Sequence, residues 1–286
     1  MRSTRTRPLL VAVAAVAVAV TGVVTTTVAT APSAEAAPST VRVITHNLEK
    51  KPEALEKVIA LAAATTAPEV VLLQEVCADM LPRIRQLGFT TFHARRSTKC
   101  AGADPRLGEA TVWTGSGASE FGPVELLKKD DQSYGMACLD LRHAGSRIRA
   151  CSTHLIAGRT KQAPFRERLT ARIRTTTAGW ISPQRTVIVG GDFNTNPTFR
   201  AMDALYGVGP SANGRFREIA QTAGSGHTRR DGAWTSGSAT GAAGDTRRKI
   251  DYVFVSKVGS RPAGGSERTM SSPSNHRILY GLVPLG

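Results

Sequence analysis

The chain has 286 residues, a net charge of +15 and 41% hydrophobic residues. The positive balance favours polyanionic partners such as nucleic acid, an anionic lipid surface or a phosphorylated small molecule, but it also fits plain solubility. The four cysteines contain no Cys-x-x-Cys spacing, which argues against a cysteine-ligated metal centre.

The first 36 residues have the order of segments found in a secretory signal peptide. Three early arginines precede an apolar run, residues 9–24, and a stretch of small residues ends in Ala34-Glu35-Ala36. We therefore predict cleavage near Ala36 or Ala37, secretion, and one domain over residues 37–286 with a net charge near +13. The alternative is an uncleaved membrane anchor, since the apolar run is long enough to suggest one.

Hydrophobic patterning predicts alternating strands and helices. Strands are expected at residues 41–47, 69–74, 109–114, 134–141, 147–155, 186–189, 249–256 and 277–283. Helices are expected at residues 53–64, 80–87, 164–180 and 199–206. Residues 207–248 are rich in Gly, Ser, Ala and Thr and predict long surface loops with one short strand near 216–219. This mixture indicates mixed sheets with helices outside.

The even number of cysteines in an exported chain predicts two disulfide bonds. Four cysteines allow three ways of pairing. Cys138 and Cys151 lie in two predicted strands joined by a turn at residues 143–146, which places them across a hairpin from each other. This pairing leaves Cys77 with Cys100.

Polar residues stand where several predicted strands end. Glu75 follows the strand 69–74, His154 follows residues 147–153 of its strand, and Asp192 and Asn194 follow the strand 186–189. Phosphodiester hydrolysis needs a positive centre for the developing charge, an activated water, a proton for the leaving oxygen and donors to the phosphate. Carboxylates, amides and histidines supply these groups, but each residue alone also fits an ordinary strand end or turn.

Seven short motifs occur along the chain in a characteristic order. They are Thr45-His46-Asn47, Leu72-Leu73-Gln74-Glu75, Gly108-Glu109-Ala110, Ser152-Thr153-His154-Leu155, Gly191-Asp192-Phe193-Asn194, Lys249-Ile250-Asp251-Tyr252 and Asn275-His276-Arg277. The series resembles the endonuclease/exonuclease/phosphatase superfamily, in its deoxyribonuclease I-like branch. It spans residues 45–277, which is almost the whole predicted mature chain.

The resemblance implies an α/β (α+β) fold, a four-layer sandwich of two packed mixed β-sheets flanked by helices, and a metal-dependent phosphoric ester hydrolase. It assigns Glu75 and Asn47 to a divalent metal. It assigns Asp192 and Asn194 to the scissile phosphate, the attacking water or a second metal. It pairs each histidine with a carboxylate that fixes its tautomer and favours its cationic form. The implied catalytic residues are His154 with Glu109, His276 with Asp251, and Asp192 and Asn194.

The sequence departs from the family pattern at one position. The family usually has aspartate directly before the last histidine, whereas this chain has Asn275. An amide oxygen can coordinate a hard cation but brings no charge, so Asn275 remains a candidate metal ligand in a weaker site or one that relies more on Glu75. We expect Mg²⁺ as the metal, with Ca²⁺ or Mn²⁺ as alternatives.

Together these features predict a secreted, divalent-metal-dependent phosphodiesterase, foremost a nuclease for DNA or RNA. Asn194, Arg229 and Arg230 are expected to contact the nucleic acid. We expect a monomer without a stable protein partner and without a transmembrane segment in the mature chain. The alternatives are a phosphatase or sphingomyelinase-like phospholipase of the same fold, or a non-catalytic binding relative, which only Asn275 favours.

Other basic residues and histidines have simpler interpretations. His46 and His93 are expected to be structural or surface residues. The arginines of the predicted helix 164–180 are expected to form a solvated face, although such a run also fits contact with a polyanion.

Overall fold

A computed structural model describes residues 39–96, 99–158, 160–207, 214–219, 230, 232–238, 245–258 and 267–285. The predicted signal peptide and much of the predicted loop region 207–248, including Arg229, lie outside the described residues. Within the described residues, no helix is both long and apolar enough to cross a membrane.

The described part of the chain contains twelve strands and four α-helices. The strands are β1 (Thr40–Asn47), β2 (Glu69–Cys77), β3 (Phe89–Arg96), β4 (Leu107–Trp113), β5 (Ala118–Lys129), β6 (Gln132–His143), β7 (Ser146–His154), β8 (Arg185–Asp192), β9 (Phe216–Glu218), β10 (Asp251–Ser256), β11 (Arg268–Met270) and β12 (Ile278–Pro284). The helices are α1 (Pro52–Ala63), α2 (Leu81–Arg85), α3 (Ala163–Ala178) and α4 (Asp203–Tyr206).

The strands form two mixed six-stranded sheets, ordered β11-β12-β1-β2-β4-β3 and β5-β6-β7-β8-β10-β9. In each sheet one central pair is parallel, β1 with β2 and β7 with β8, and the other pairs are antiparallel. An apolar core that includes Leu72, Ile188 and Val253 lies between the sheets. The predicted architecture of two packed mixed sheets with flanking helices is confirmed.

Helices cover the outer face of each sheet because their apolar sides need burial. Helix α1 begins at Pro52, which suits the first helical position, and buries Leu55 and Val58 in the core of the first sheet. Helix α3 buries Leu169 and Ile173 against the second sheet. The two helical layers and the two sheets give four layers.

Three strands were not predicted from the sequence, and all three lie at sheet edges: β3, β5 and β11. Edge strands are exposed on one side, so their sequences lack the continuous apolar run of a central strand. In β5, Gly122 and Pro123 interrupt the pattern further, and the strand pairs with β6 through two register shifts.

Both predicted disulfide bonds are confirmed, Cys77–Cys100 and Cys138–Cys151. Cys138 and Cys151 are directly opposite each other on β6 and β7, as the predicted hairpin requires. Cys77 ends β2, two residues after Glu75, so the first disulfide ties the segment around Cys100 to the strand that carries Glu75.

Replacing Cys138 and Cys151 together by alanine is expected to lower the free energy of unfolding by about 2–4 kcal/mol, because the crosslink restricts the unfolded chain. Urea denaturation of the wild type and the double variant measures the difference. The matched control is wild-type protein unfolded with a reductant, which should approach the stability of a variant lacking both bonds. Identical urea midpoints for the oxidised wild type and the variant would contradict the expectation.

Candidate active site

Strand register brings three of the predicted catalytic residues into one row. His154, at the end of β7, pairs with Asp192, at the end of β8, and Asp192 pairs with Asp251, at the start of β10. All three side chains are buried, with exposed fractions of 4%, 1% and 0%. Two buried carboxylates on adjacent strands repel each other unless cations or donors are placed between them.

The carboxylate of Asp192 is the centre of the site. Its Oδ2 accepts hydrogen bonds from Asn47 Nδ2 at 3.1 Å and from Asn194 Nδ2 at 3.3 Å, and its Oδ1 accepts one from the Asn194 main-chain N–H at 2.8 Å. His154 Nε2 lies 3.3 Å and His276 Nε2 3.7 Å from the same Oδ2. Burial alone raises the pKa of Asp192, but the two imidazoles and these donors outweigh it and hold the pKa well below its usual range.

His276 forms a hydrogen-bonded pair with Asp251, as the sequence predicts. Its Nδ1 lies 2.9 Å and 3.1 Å from the two carboxylate oxygens of Asp251. Burial lowers the pKa of His276, but the carboxylates of Asp251 and Asp192 overcome this effect and raise it to about 10. The ring is therefore an imidazolium at neutral pH, with Nδ1–H donating to Asp251 and Nε2–H turned towards Asp192.

Thr235 holds this pair in place, and sequence reasoning missed it. The Thr235 hydroxyl accepts hydrogen bonds from the main-chain N–H of Ile250 and of Asp251, at 3.1 Å and 2.9 Å. The neighbouring Ser236 forms a β-bridge with His276. No sequence signal singles out this threonine, because it lies in a Gly/Ser-rich segment with no periodic pattern.

The predicted partnership between His154 and Glu109 is wrong. Glu109 accepts instead from His93, with His93 Nδ1 at 3.1 Å from Oε2. The reason is strand register, since His93 on β3 lies directly opposite Glu109 on β4 and both are buried. His154 Nδ1 is buried without a hydrogen-bond partner among the described residues, and its Nε2 lies 3.0 Å from the amide nitrogen of Asn194.

Glu49 belongs to the site, although it was absent from the predicted set. Its Oε2 accepts from Lys51 Nζ and from the main-chain N–H of Asn275, each at 2.8 Å. The side chain of Asn275, a predicted metal ligand, is exposed, and this residue contacts Glu49 through its main chain. A carboxylate from the segment after β1 therefore stands beside the position where the family usually has aspartate.

Backbone strain is concentrated around these residues. Six described residues other than glycine have positive φ, and four of them lie at the site: Glu49, Lys50, Glu75 and Asn194, with φ between 50° and 61°. Such conformations cost free energy for residues with a Cβ atom and persist where surrounding structure fixes them. The strained backbone lies at two carboxylate residues, and the main-chain N–H of one of them, Glu49, donates to Asn47 Oδ1 at 3.0 Å.

Asn47, Glu49 and Glu75 carry amide and carboxylate oxygens, which are ligand atoms that a hard divalent cation prefers. Glu49 and Glu75 are both partly exposed, and each lies beside a lysine that a cation can replace: Lys51 Nζ at 2.8 Å and Lys50 Nζ at 4.0 Å. Asp192, Asp251 and His276 also bring possible ligand atoms within 4.8 Å of one another. That trio suits a metal less well, because the Asp251 carboxylate is already hydrogen-bonded to a protonated imidazole.

A basic cleft opens beside Glu75 and His154. Its cavity measures about 470 Å³. The cationic side chains that line it are Lys50, Arg95, Arg96, Lys99 and Lys129. Arg95 is buried with its guanidinium 4.4 Å from the ring centre of Tyr134, so the aromatic ring holds one cation in the cleft wall. Three of the five cations belong to β3 and β5, two of the edge strands that the sequence did not predict.

Arg230, predicted to contact substrate, has a structural role instead. It is buried, bonds Asp203 Oδ1 at 2.7 Å and lies over the ring of Tyr206 at 4.6 Å. Its guanidinium joins the loop to α4, so it is not free to bind an anion. Arg166 on α3 is likewise buried rather than solvated, and it donates to the carbonyls of Ile156 and Gly158 next to the cleft.

The chain matches a family model described as the endonuclease/exonuclease/phosphatase family over residues 44–276. That span contains every residue of the site described above. No curated protein matches the chain.

Solved structures of this fold are similar over most of the chain. D. rerio TDP2 complexed with single-strand DNA product has 13% sequence identity and a TM-score of 0.63, covering 86% of this chain and 99% of that one. The human nocturnin catalytic domain with bound sulfate has 18% identity and a TM-score of 0.60, covering 87% and 97%. The endonuclease domain of TRAS1, a telomere-specific non-LTR retrotransposon, has 15% identity and a TM-score of 0.54, covering 86% and 98%.

Glu49→Gln is expected to raise the Mg²⁺ concentration that gives half-maximal activity, because it removes the carboxylate that stands beside the main chain of Asn275. Asn275→Ala is the matched control and is expected to change that concentration little, since Asn275 contacts the site through its main chain. Metal-activation curves on a small phosphodiester measure both. The assignment would be overturned if Asn275→Ala weakened metal activation while Glu49→Gln left it intact.

Proposed function

The chain belongs to the endonuclease/exonuclease/phosphatase family, whose members are metal-dependent phosphoric ester hydrolases, and from this premise we propose that it is a secreted nuclease. The single observation that carries the proposal is the basic cleft, which begins at Glu75 and His154 and continues through cations of β3 and β5. A phosphomonoester needs one cluster of donors at the reacting phosphate. A polynucleotide carries further phosphates on both sides, which a cleft lined by five cations can bind.

Each residue of the site has a separate role in the proposed hydrolysis. Asp192 is an anion at neutral pH and accepts a hydrogen bond from the attacking water, while Asn194 holds the Asp192 carboxylate in position through its main-chain N–H and its amide nitrogen. The His276 imidazolium keeps its Nε2–H available for the phosphate, since that nitrogen lies 3.7 Å from Asp192, beyond hydrogen-bond distance, while Asp251 holds Nδ1–H. As the water oxygen bonds to phosphorus, the water gives a proton to Asp192, the bond to the leaving oxygen breaks, and the His276 imidazolium supplies the proton that this oxygen needs.

Glu49, Glu75 and Asn47 would hold the divalent cation, and Mg²⁺ is the ion that we propose. When bound, it stabilises the negative charge that develops on the phosphate oxygens. Asp251 keeps the charge of His276 in place during this step, because its carboxylate holds Nδ1–H.

Two further observations support nucleic acid and secretion. The similar D. rerio TDP2 structure contains a single-strand DNA product, and a second similar structure is the endonuclease domain of TRAS1. Both disulfide bonds suit an oxidising compartment, in agreement with the predicted signal peptide. A lipid substrate has less support. Among the described residues, the exposed phenylalanines are Phe89, Phe121 and Phe199, and none of them lines the cleft.

The purified protein is expected to cleave plasmid DNA or RNA with Mg²⁺ and to lose this activity in EDTA.

Arg96→Gln with Lys99→Gln is expected to raise KM for the polynucleotide. It is also expected to lower the slope of log K against log salt by about 1.8, at about 0.9 for each phosphate that is no longer neutralised. The double variant should hydrolyse bis(p-nitrophenyl) phosphate at the wild-type rate, since that small substrate has no further phosphates to contact Arg96 and Lys99.

The matched control replaces Lys57 and Arg85, two exposed cations outside the cleft, by glutamine. It changes the net charge equally and should leave KM for the polynucleotide unchanged. Release of phosphocholine from sphingomyelin, or of phosphate from a monoester, by protein that leaves DNA and RNA intact would contradict the proposed function.

A further inference from the structure

Two irregularities in the first sheet each place a charged residue in the basic cleft. The pairing of β2 with β4 shifts register at Glu75, and the pairing of β3 with β4 shifts register at Arg95, which has no partner residue on β4. Such bulges re-aim side chains and are frequent beside active sites. Glu75 and Arg95 both line the cavity of about 470 Å³. The device that places Glu75 at the site therefore places Arg95 there as well.

The guanidinium of Arg95 is buried without a protein partner for its charge. The residue is 8% exposed, and its Nε is a buried donor without a hydrogen bond. Among the described residues, no carboxylate lies within ion-pair distance of this guanidinium. A buried cation is costly unless an anion completes it, so the side chain lacks an anionic partner that the folded chain does not supply.

The aromatic ring that holds Arg95 is itself fixed. The guanidinium lies 4.4 Å from the ring centre of Tyr134, which is 1% exposed. The Tyr134 hydroxyl donates to Gln132 Oε1 at 3.0 Å, and its ring packs edge-on against Phe165. Because the ring contacts the face of the guanidinium, the N–H donors at the edge of the guanidinium stay available. Arg95 is therefore pre-organised for the planar, two-fold hydrogen bonding that phosphate accepts.

The carboxylates that line the same walls do not neutralise Arg95. Glu75 lies 4.0 Å from Lys50 Nζ. Asp130 and Asp131 are exposed residues in the turn between β5 and β6. The cavity is lined by five cations and by two carboxylates, Glu75 and Asp130, so it keeps an excess of positive charge.

Arg95 lies beside the reacting phosphate rather than at it. Strand β4 separates β2 from β3, so the main chains of Glu75 and Arg95 are roughly 10 Å apart, at about 4.8 Å for each strand spacing. At a rise of about 3.4 Å for each nucleotide, this separation corresponds to no more than about three nucleotides. A phosphate bound at Arg95 is therefore a near neighbour of the one that reacts at Asp192.

We propose that Arg95 is a specificity-determining residue that binds a non-scissile phosphate of the polynucleotide, within about three nucleotides of the bond that is cleaved. The identity of the substrate rests on the proposed function. The other four cations of the cleft are partly or fully exposed, whereas Arg95 is held in one position. A strand lying in the cleft reaches this buried guanidinium, but the headgroups of a flat membrane surface do not.

The first measurement is binding without catalysis. A fluorescent duplex DNA of about 20 base pairs, and a single-stranded RNA of about the same number of nucleotides, are titrated with the full chain in EDTA across a salt series. Arg95→Gln is expected to weaken binding about tenfold, since a charge-assisted phosphate contact is lost. It should also lower the slope of log K against log salt by about 0.9 on the duplex or about 0.7 on the single strand.

Arg106→Gln is the matched control. It removes the same charge from the wall of the adjoining cavity, but Asp104 already holds the Arg106 guanidinium at 2.6 Å. This variant is expected to bind as the wild type does. Equal affinities and salt slopes for the wild type and both variants would overturn the proposal, as would equal losses in both variants.

Arg95→Lys is a second variant, and circular dichroism shows whether each variant is folded. Lysine keeps the charge but lacks the planar fork, so this variant is expected to keep the wild-type salt slope while binding several-fold more weakly. Binding by Arg95→Lys that equals the wild type would overturn the role of the fork. A wild type that binds neither nucleic acid would overturn the proposal, and loss of binding only to phosphatidylglycerol vesicles in Arg95→Gln would replace it by a membrane contact.

Kinetics on DNA separate Arg95 from the residues at the reacting phosphate. Arg95→Gln is expected to raise KM, because contact with a non-scissile phosphate is made equally before and during the reaction. A loss confined to kcat would place Arg95 at the reacting phosphate and overturn the proposal. Failure of the wild type to hydrolyse DNA or RNA would remove the proposed function, while the binding measured in EDTA would still decide whether Arg95 is a phosphate site.

Discussion

A buried carboxylate that must remain ionised organises the site. Asp192 is 1% exposed, and an isolated anion at that depth would take up a proton. Asn47, Asn194, His154 and His276 all direct nitrogen atoms towards it. Asp251 then balances the positive charge on His276. Every predicted catalytic residue except Glu109 is thus part of one network of charge and hydrogen bonds, and the same network supplies the acceptor and the donors that phosphodiester hydrolysis needs.

The alignment of the two packed sheets fixes the positions of the residues in this network. Asp192, His154 and Asp251 belong to one sheet, whereas Asn47 comes from the other, so the Asn47–Asp192 bond crosses the interface. Buried polar side chains fix the sheets against each other nearby: Gln74 donates to Ser152 Oγ at 2.9 Å, and Thr111 donates to the Ala137 carbonyl at 2.7 Å. Apolar packing alone would tolerate sliding, but these bonds specify one alignment.

The sequence was sufficient to predict the fold and most of the residues that the structure brings together, because central strands are continuous apolar runs and these residues follow them. It failed where side-chain position depends on edge-strand register or on loop packing. Glu109 pairs with His93 because β3, an edge strand, places that histidine opposite it. Arg230 looks like a free loop cation in the sequence but packs on Tyr206 and Asp203. Glu49 lies outside the strands, and its position in the site depends on a left-handed backbone conformation that no local sequence pattern predicts.

The most direct measurement of the central claim is an NMR titration of the imidazole rings in metal-free protein, for the wild type and for Asp192→Asn. We expect the His276 ring to stay protonated well above its ordinary pKa of 6.5, with a pKa near 10, because Asp251 and Asp192 both stabilise the cation. We also expect Asp192→Asn to lower this pKa while the fold persists. A His276 ring that titrates near 6.5 in the wild type, or one that Asp192→Asn does not affect, would contradict the role of Asp192 as the organising charge.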